Sequence, residues 1–97
     1  MLGTCGEYIV GSTNVTDNII DKIKQYELSL NLNTTLPSPF IIKKIGIRVD
    51  TDCAIELNGR VFNIKGNEAL EFGYDYFDIT SIICQTEGVE LTIRYLY

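Results

Sequence analysis

The stretch Cys53-Ala-Ile-Glu-Leu-Asn-Gly-Arg-Val-Phe-Asn-Ile64 decides how the chain is read. Two alternating runs flank Asn58-Gly59. Asn-Gly is the favoured pair for a two-residue type I′ turn, because both central residues need positive φ. With that turn, Leu57 faces Arg60, Ile55 faces Phe62 and Cys53 faces Ile64. Facing residues lie on one side of a hairpin. One side therefore carries Cys53, Ile55, Leu57, Phe62 and Ile64, with Arg60 at the tip. The other carries Ala54, Glu56, Val61 and Asn63. Turn register and hydrophobic pattern agree, and a slip of one residue would spoil both.

Working outward, Phe40 to Val49 is the longest strand candidate. Ile45, Ile47 and Val49 share a face opposite Lys44, Gly46 and Arg48. Asp50-Thr51-Asp52 turns that strand into the hairpin, and Lys65-Gly66-Asn67 turns the chain again. Leu70 and Phe72 share a face of a short strand. Phe77, Ile79, Ser81 and Ile83 alternate with Asp78, Thr80, Ile82 and Cys84. After the turn Gln85 to Gly88, Val89, Leu91, Ile93, Tyr95 and Tyr97 form one face of a last strand. Short alternating strands with a turn about every ten residues specify an all-β fold, a single small antiparallel β-sandwich of jelly-roll or Ig-like type.

The N-terminal part reads less simply. Tyr8-Ile9-Val10 between Gly6 and Gly11 is a first strand or an arm toward a neighbouring subunit. Ser12 to Gln25 suits a short helix. Ser12-Thr13-Asn14 before Val15 supplies capping chemistry, Ile19, Ile20 and Ile23 lie at helical spacing, and acidic residues precede basic ones along the dipole. A β-branched strand competes with that reading. Tyr26, Leu28, Leu30 and Leu32 then alternate with polar residues over seven positions, which predicts a strand half-buried in the sheet. The division expected is an arm with a short helix or strand over 1–25 and a sandwich over 26–97. Pro37 and Pro39, the only prolines, stiffen a connector after Asn33-Thr34-Thr35.

Ninety-seven residues make one domain, and 45% apolar with 22% charged content makes it globular. A small domain with this much apolar surface implies a partner or a homo-oligomer. Eight basic residues against thirteen acidic leave a net charge of −5. The basic residues are scattered, so no nucleic acid is expected as a partner. No apolar run approaches a bilayer span and Met1 to Glu7 lacks the pattern of a signal peptide, so no membrane is expected either. Without a secretory signal, the glycosylation-like triplets at Asn14 and Asn33 carry no weight. Three cysteines, without C-x-x-C spacing, indicate neither a disulfide framework nor a zinc site; Cys53 and Cys84 read as small buried thiols.

The chain has no histidine. That removes the usual general base, the usual partner of a nucleophile and the commonest transition-metal ligand. No nucleotide-loop or nucleophile-elbow pattern occurs. Asp50, Asp52, Asp75 and Asp78 could supply a carboxylate pair for glycoside hydrolysis, or a calcium site at Asp50-x-Asp52, but all sit in or beside turns where Asp is expected for local hydrogen bonding. The expectation is no catalytic residue, no cofactor and no metal.

From Ile42 to Tyr97, just over half the chain, the sequence resembles a small β domain of tailed-bacteriophage structural proteins. The residues that carry the likeness are Ile45-Gly-Ile-Arg-Val-Asp-Thr-Asp-Cys-Ala-Ile-Glu-Leu-Asn-Gly59, Phe62-Asn-Ile, Leu70-Glu-Phe-Gly73, Ile79-Thr-Ser-Ile-Ile83 and Gly88-Val-Glu-Leu-Thr-Ile-Arg-Tyr95. The resemblance implies a non-enzymatic virion subunit, foremost an accessory or decoration protein of the head, packing on the shell or on its own copies. Its partners would be major capsid or tail proteins and itself. A tail or head–tail connector component is the nearest variant. The contact residues expected are Tyr8, Ile9 and Val10, the proline loop with Leu36, Pro37, Pro39 and Phe40, and Tyr74, Tyr76 and Phe77. The competing function is a small glycan-binding module that uses Tyr74 and Tyr76, with Asp75 beside them.

Overall fold

The computed structural model describes residues 5–30, 36, 40–72 and 78–97. The elements are β1 (Cys5–Val10), α1 (Ile19–Ser29), β2 (Lys44–Val49), β3 (Cys53–Leu57), β4 (Arg60–Ile64), β5 (Ala69–Phe72), β6 (Ile82–Cys84) and β7 (Leu91–Leu96). They form an all-β sandwich of two antiparallel sheets. One has the order β1-β7-β2-β5 and the other β4-β3-β6. The hairpin has the register that Asn-Gly dictates: Leu57 opposite Arg60, Ile55 opposite Phe62, Cys53 opposite Ile64. Asn58 and Gly59 take φ of 51° and 84°.

The turn does more than reverse the chain. Asn58 Oδ1 accepts from the amides of Thr80 (2.9 Å) and Ser81 (3.1 Å) and from Thr80 Oγ1 (3.2 Å), while its Nδ2 donates to the Asp78 carbonyl (2.6 Å). One side chain thus satisfies the backbone where the 78–81 segment leaves regular pairing. There the expected alternation breaks. Ile79, bridged to Ile42, is buried, but so are Ile82 and Cys84, while Ile83 is half-buried. The clasp shifts the phase by one residue between Ile79 and Ile82.

The core lies between the sheets. Ile45, Ile47, Val49, Ile55, Leu57, Leu91 and Ile93 are almost wholly shielded. Ring pairs show which strands face each other. Phe62 of β4 meets Phe72 of β5 (5.1 Å), and Tyr8 of β1 meets Tyr26 of α1 (5.3 Å). The helix therefore completes the second layer, which among the described residues has no fourth strand. Asn18 docks it there: its Oδ1 accepts from the Ile20 amide (3.1 Å) as the helix cap and from the Ile82 amide of β6 (3.0 Å).

The strand predicted over 26–32 is not formed at its start, because α1 runs through Ser29. Leu28 and Leu30, expected inside, are 57% and 40% exposed. Among the described residues of this segment the buried one is Glu27, 8% exposed. Helical spacing from Ile19, Ile20 and Ile23 reaches Glu27 four residues on. Its carboxylate accepts from the hydroxyls of Tyr95 (2.6 Å) and Tyr97 (2.5 Å), which offsets the cost of burying it. The helical period outweighed a period-two pattern whose apolar members had no sheet to enter. The long candidate from Phe40 also shortens: regular pairing starts at Lys44. Among the described residues no helix is long and apolar enough to cross a membrane.

Candidate functional site

Most buried polar side chains of this protein have a job inside the fold. Thr13 bonds the 86–89 segment through its Oγ1, donating to the Thr86 carbonyl (2.5 Å) and accepting from the Val89 amide (3.0 Å). Glu27 holds the two tyrosines. Burial, then the bond to Glu27, pushes the Tyr97 hydroxyl up to about 12 and the Tyr95 hydroxyl further in the same direction. The Cys53 thiol is pushed up to about 11 by burial and by Cys84 beside it. A thiol held protonated in this way is a poor nucleophile.

The acidic turns are likewise occupied. Asp50 Oδ1 accepts from the Glu90 amide (3.1 Å) and Asp52 Oδ1 from the Gly66 amide (2.8 Å). Asp78 pairs with Lys43 at 2.9 Å on the surface. Among the described residues no three Cys, Asp or Glu side chains gather as a metal site would require.

The surface with the most unspent chemistry is the outer face of the four-stranded sheet. Inward alternation of Ile45, Ile47, Ile93 and Tyr95 leaves Lys44, Gly46, Arg48, Thr92 and Arg94 pointing outward. Register assembles one row across all four strands: Glu7, Arg94, Gly46 and Glu71. The flanking rows are Ile9, Thr92, Arg48, Ala69 and Cys5, Leu96, Lys44. All of these but Ile9 line a broad, open depression. Its floor is the backbone at Gly46.

Among the described residues of one copy nothing requires that glycine. Its φ is not in the left-handed region, since the glycines found there are Gly59 and Gly88. A Cβ on Gly46 would meet nothing nearer than the Glu71 side chain at 3.8 Å, an ordinary contact. A glycine inside a central strand costs stability, and such a residue often marks a close approach by another group. Around it stand Arg94, whose side chain is 80% exposed while its Nε bonds Glu7 at 2.8 Å, and Lys44 and Arg48, which make no ion pair among the described residues.

The residues singled out from sequence scatter. Tyr8 and Val10 are half-buried on the inner side of β1, and β1 is an integral strand paired along its length with β7. Ile9 points outward, 58% exposed, at the margin of the depression. Leu36 packs on the core, and Phe40 is 6% exposed against Tyr97, ring centres 4.9 Å apart. Pro37, Pro39, Tyr74, Tyr76 and Phe77, with Asp75, lie outside the described residues. The row Glu7–Arg94–Gly46–Glu71 was missed as a unit. Alternation within each strand showed which residues share a face, but only the strand order joins them.

Compared with known proteins, the chain matches no family model, no curated protein and no solved structure at a significant level.

Proposed function

We propose that the chain is a non-enzymatic structural subunit that works by surface contact, and that it serves as an accessory protein on the head of a bacteriophage particle. One observation carries the contact reading. The buried carboxylate and hydroxyl groups described above are consumed by the fold, whereas a mixed-charge sheet face is left open around a bare strand backbone. Assignment to a virion rests on the likeness of Ile42 to Tyr97 to small β domains of tailed phages. Many copies on a shell would let weak individual contacts act together.

Density-gradient purification of particles followed by quantitative mass spectrometry tests the reading. The chain should band with the main shell protein in a fixed ratio, at high copy number for the head and low copy number for a tail or connector position. Recovery only at the top of the gradient, with none in the particle band, would sink it.

A further inference from the structure

The geometry points to a head-to-face contact between copies of this chain, in which the acidic turn end of one copy seats over Gly46 on the outer sheet face of the next. This deepens the reading as an assembling subunit and rests on it.

The receiving surface has the two properties such a contact needs. Its floor lacks a side chain at Gly46, where among the described residues a Cβ would make only an ordinary contact with Glu71. On the same strand, Lys44 and Arg48 point outward on either side of it, each about 7 Å away at the rise of an extended chain. With Arg94 they give this face three cations against the two carboxylates of Glu7 and Glu71, on a chain that is otherwise strongly acidic. An acidic protein with a cationic face has its complement on itself.

The complement is the end where three turns meet. The Asp50 amide donates to the Glu90 carbonyl, the Val49 amide to the Glu68 carbonyl, and the Gly66 amide to Asp52, so the turns at 50–52, 65–68 and 88–90 are tied together. Asp50, Asp52, Glu68 and Glu90 are all exposed there, with Lys65 the one cation among those turns. Like faces do not fit each other. Each outer face carries more cations than carboxylates, so two of them brought together repel and leave both depressions empty. An end against a face is a heterologous contact, which repeats into a ring or a filament.

Sedimentation of the purified chain tests this. At low salt the weight-average mass should climb above the 10.9 kDa monomer with concentration. It should fall back as salt rises, because screening shortens from about 30 Å at ~0.01 M to about 3 Å at ~1 M. Two double variants leave the fold intact, since all four positions are exposed: K44E/R48E makes face and end both acidic, and E68K/E90K makes both basic. Each alone should sediment as a monomer, and a mixture of the two should assemble again. A wild-type chain that stays monomeric at every concentration in low salt overturns the inference, as do folded variants that fail to reassemble on mixing. A chain that does not self-associate yet bands with particles refutes this contact and leaves the proposed function standing. Self-association without particle binding does the reverse.

Discussion

The two sides of the β1-β7-β2-β5 sheet use glycine in opposite ways. On the inner side, Gly6 lies against the ring of Tyr95: a Cβ there would come within 2.5 Å of the hydroxyl and 2.6 Å of the carbon bearing it. That ring is 4% exposed and its hydroxyl is bonded to Glu27, so the absent side chain at Gly6 is what admits the tyrosine and, through it, anchors the helix. On the outer side, a Cβ on Gly46 would make only an ordinary contact with the Glu71 side chain, and the glycine weakens its strand for no return seen among the described residues of the monomer. The inner glycine is explained by the fold. The outer one is explained, on our proposal, by a contact with another copy.

The largest effect expected on the inner side is from Glu27→Ala. It leaves the buried Tyr95 hydroxyl and the half-buried Tyr97 hydroxyl without their acceptor, at a cost of about 3 kcal/mol. The denaturation midpoint should drop accordingly, and amide exchange should quicken first in α1. Gly6→Ala follows, at about 2 kcal/mol, because the rigid ring of Tyr95 must shift to admit a methyl. The same substitution at Gly46 should cost nothing. If Gly6→Ala and Gly46→Ala prove equally tolerated, the contrast between the two sides is broken.

Alkaline titration sharpens the contrast without any change of sequence. An unfolded tyrosine loses its proton near 10, whereas Tyr97 holds it to about 12. Between those values the folded chain binds more protons than the unfolded one. The stabilisation is therefore complete below pH 10 and is lost as pH rises toward about 12. Tyr95 acts with the same sign. The urea midpoint should fall over that range, Tyr97→Phe should flatten the fall, and Gly46 variants should leave its slope unaltered. A midpoint independent of pH through the range would mean that the tyrosine–glutamate cluster contributes nothing to holding the helix.

These same two regions show what was readable in the residues. The hairpin was legible because a two-residue turn sets register locally, and Asn58-Gly59 with its flanking pattern specified every pair from 53 to 64. The inward faces of β2, β5 and β7 followed from period-two alternation. The helix through Ser29 did not. Leu28 and Leu30 imitate a strand, and the residue that docks the segment is a glutamate, whose burial depends on two hydroxyls some seventy positions away. The outer row failed to appear for a related reason. Gly46 was visible as an outward position, but Arg94 and Glu71 become its neighbours only when β7 and β5 take their places on either side of β2. Sequence spacing carries local periods and tight turns, and it does not carry the order of distant strands.

The smallest effect expected on stability is the most informative. Gly46→Val puts a β-branched residue with high strand propensity into the centre of a sheet, at a position whose nearest neighbour is a flexible glutamate side chain. Within one copy it should raise stability by about 0.5–1 kcal/mol, because a glycine in a strand interior loses that much through conformational freedom. Its branched side chain also fills the floor of the depression, so it should abolish association between copies. A variant more stable than the parent yet unable to assemble would separate the two requirements at one residue. If Gly46→Val instead loosens the monomer, as read by its urea midpoint, then Gly46 serves packing after all and the two sides of the sheet obey one rule.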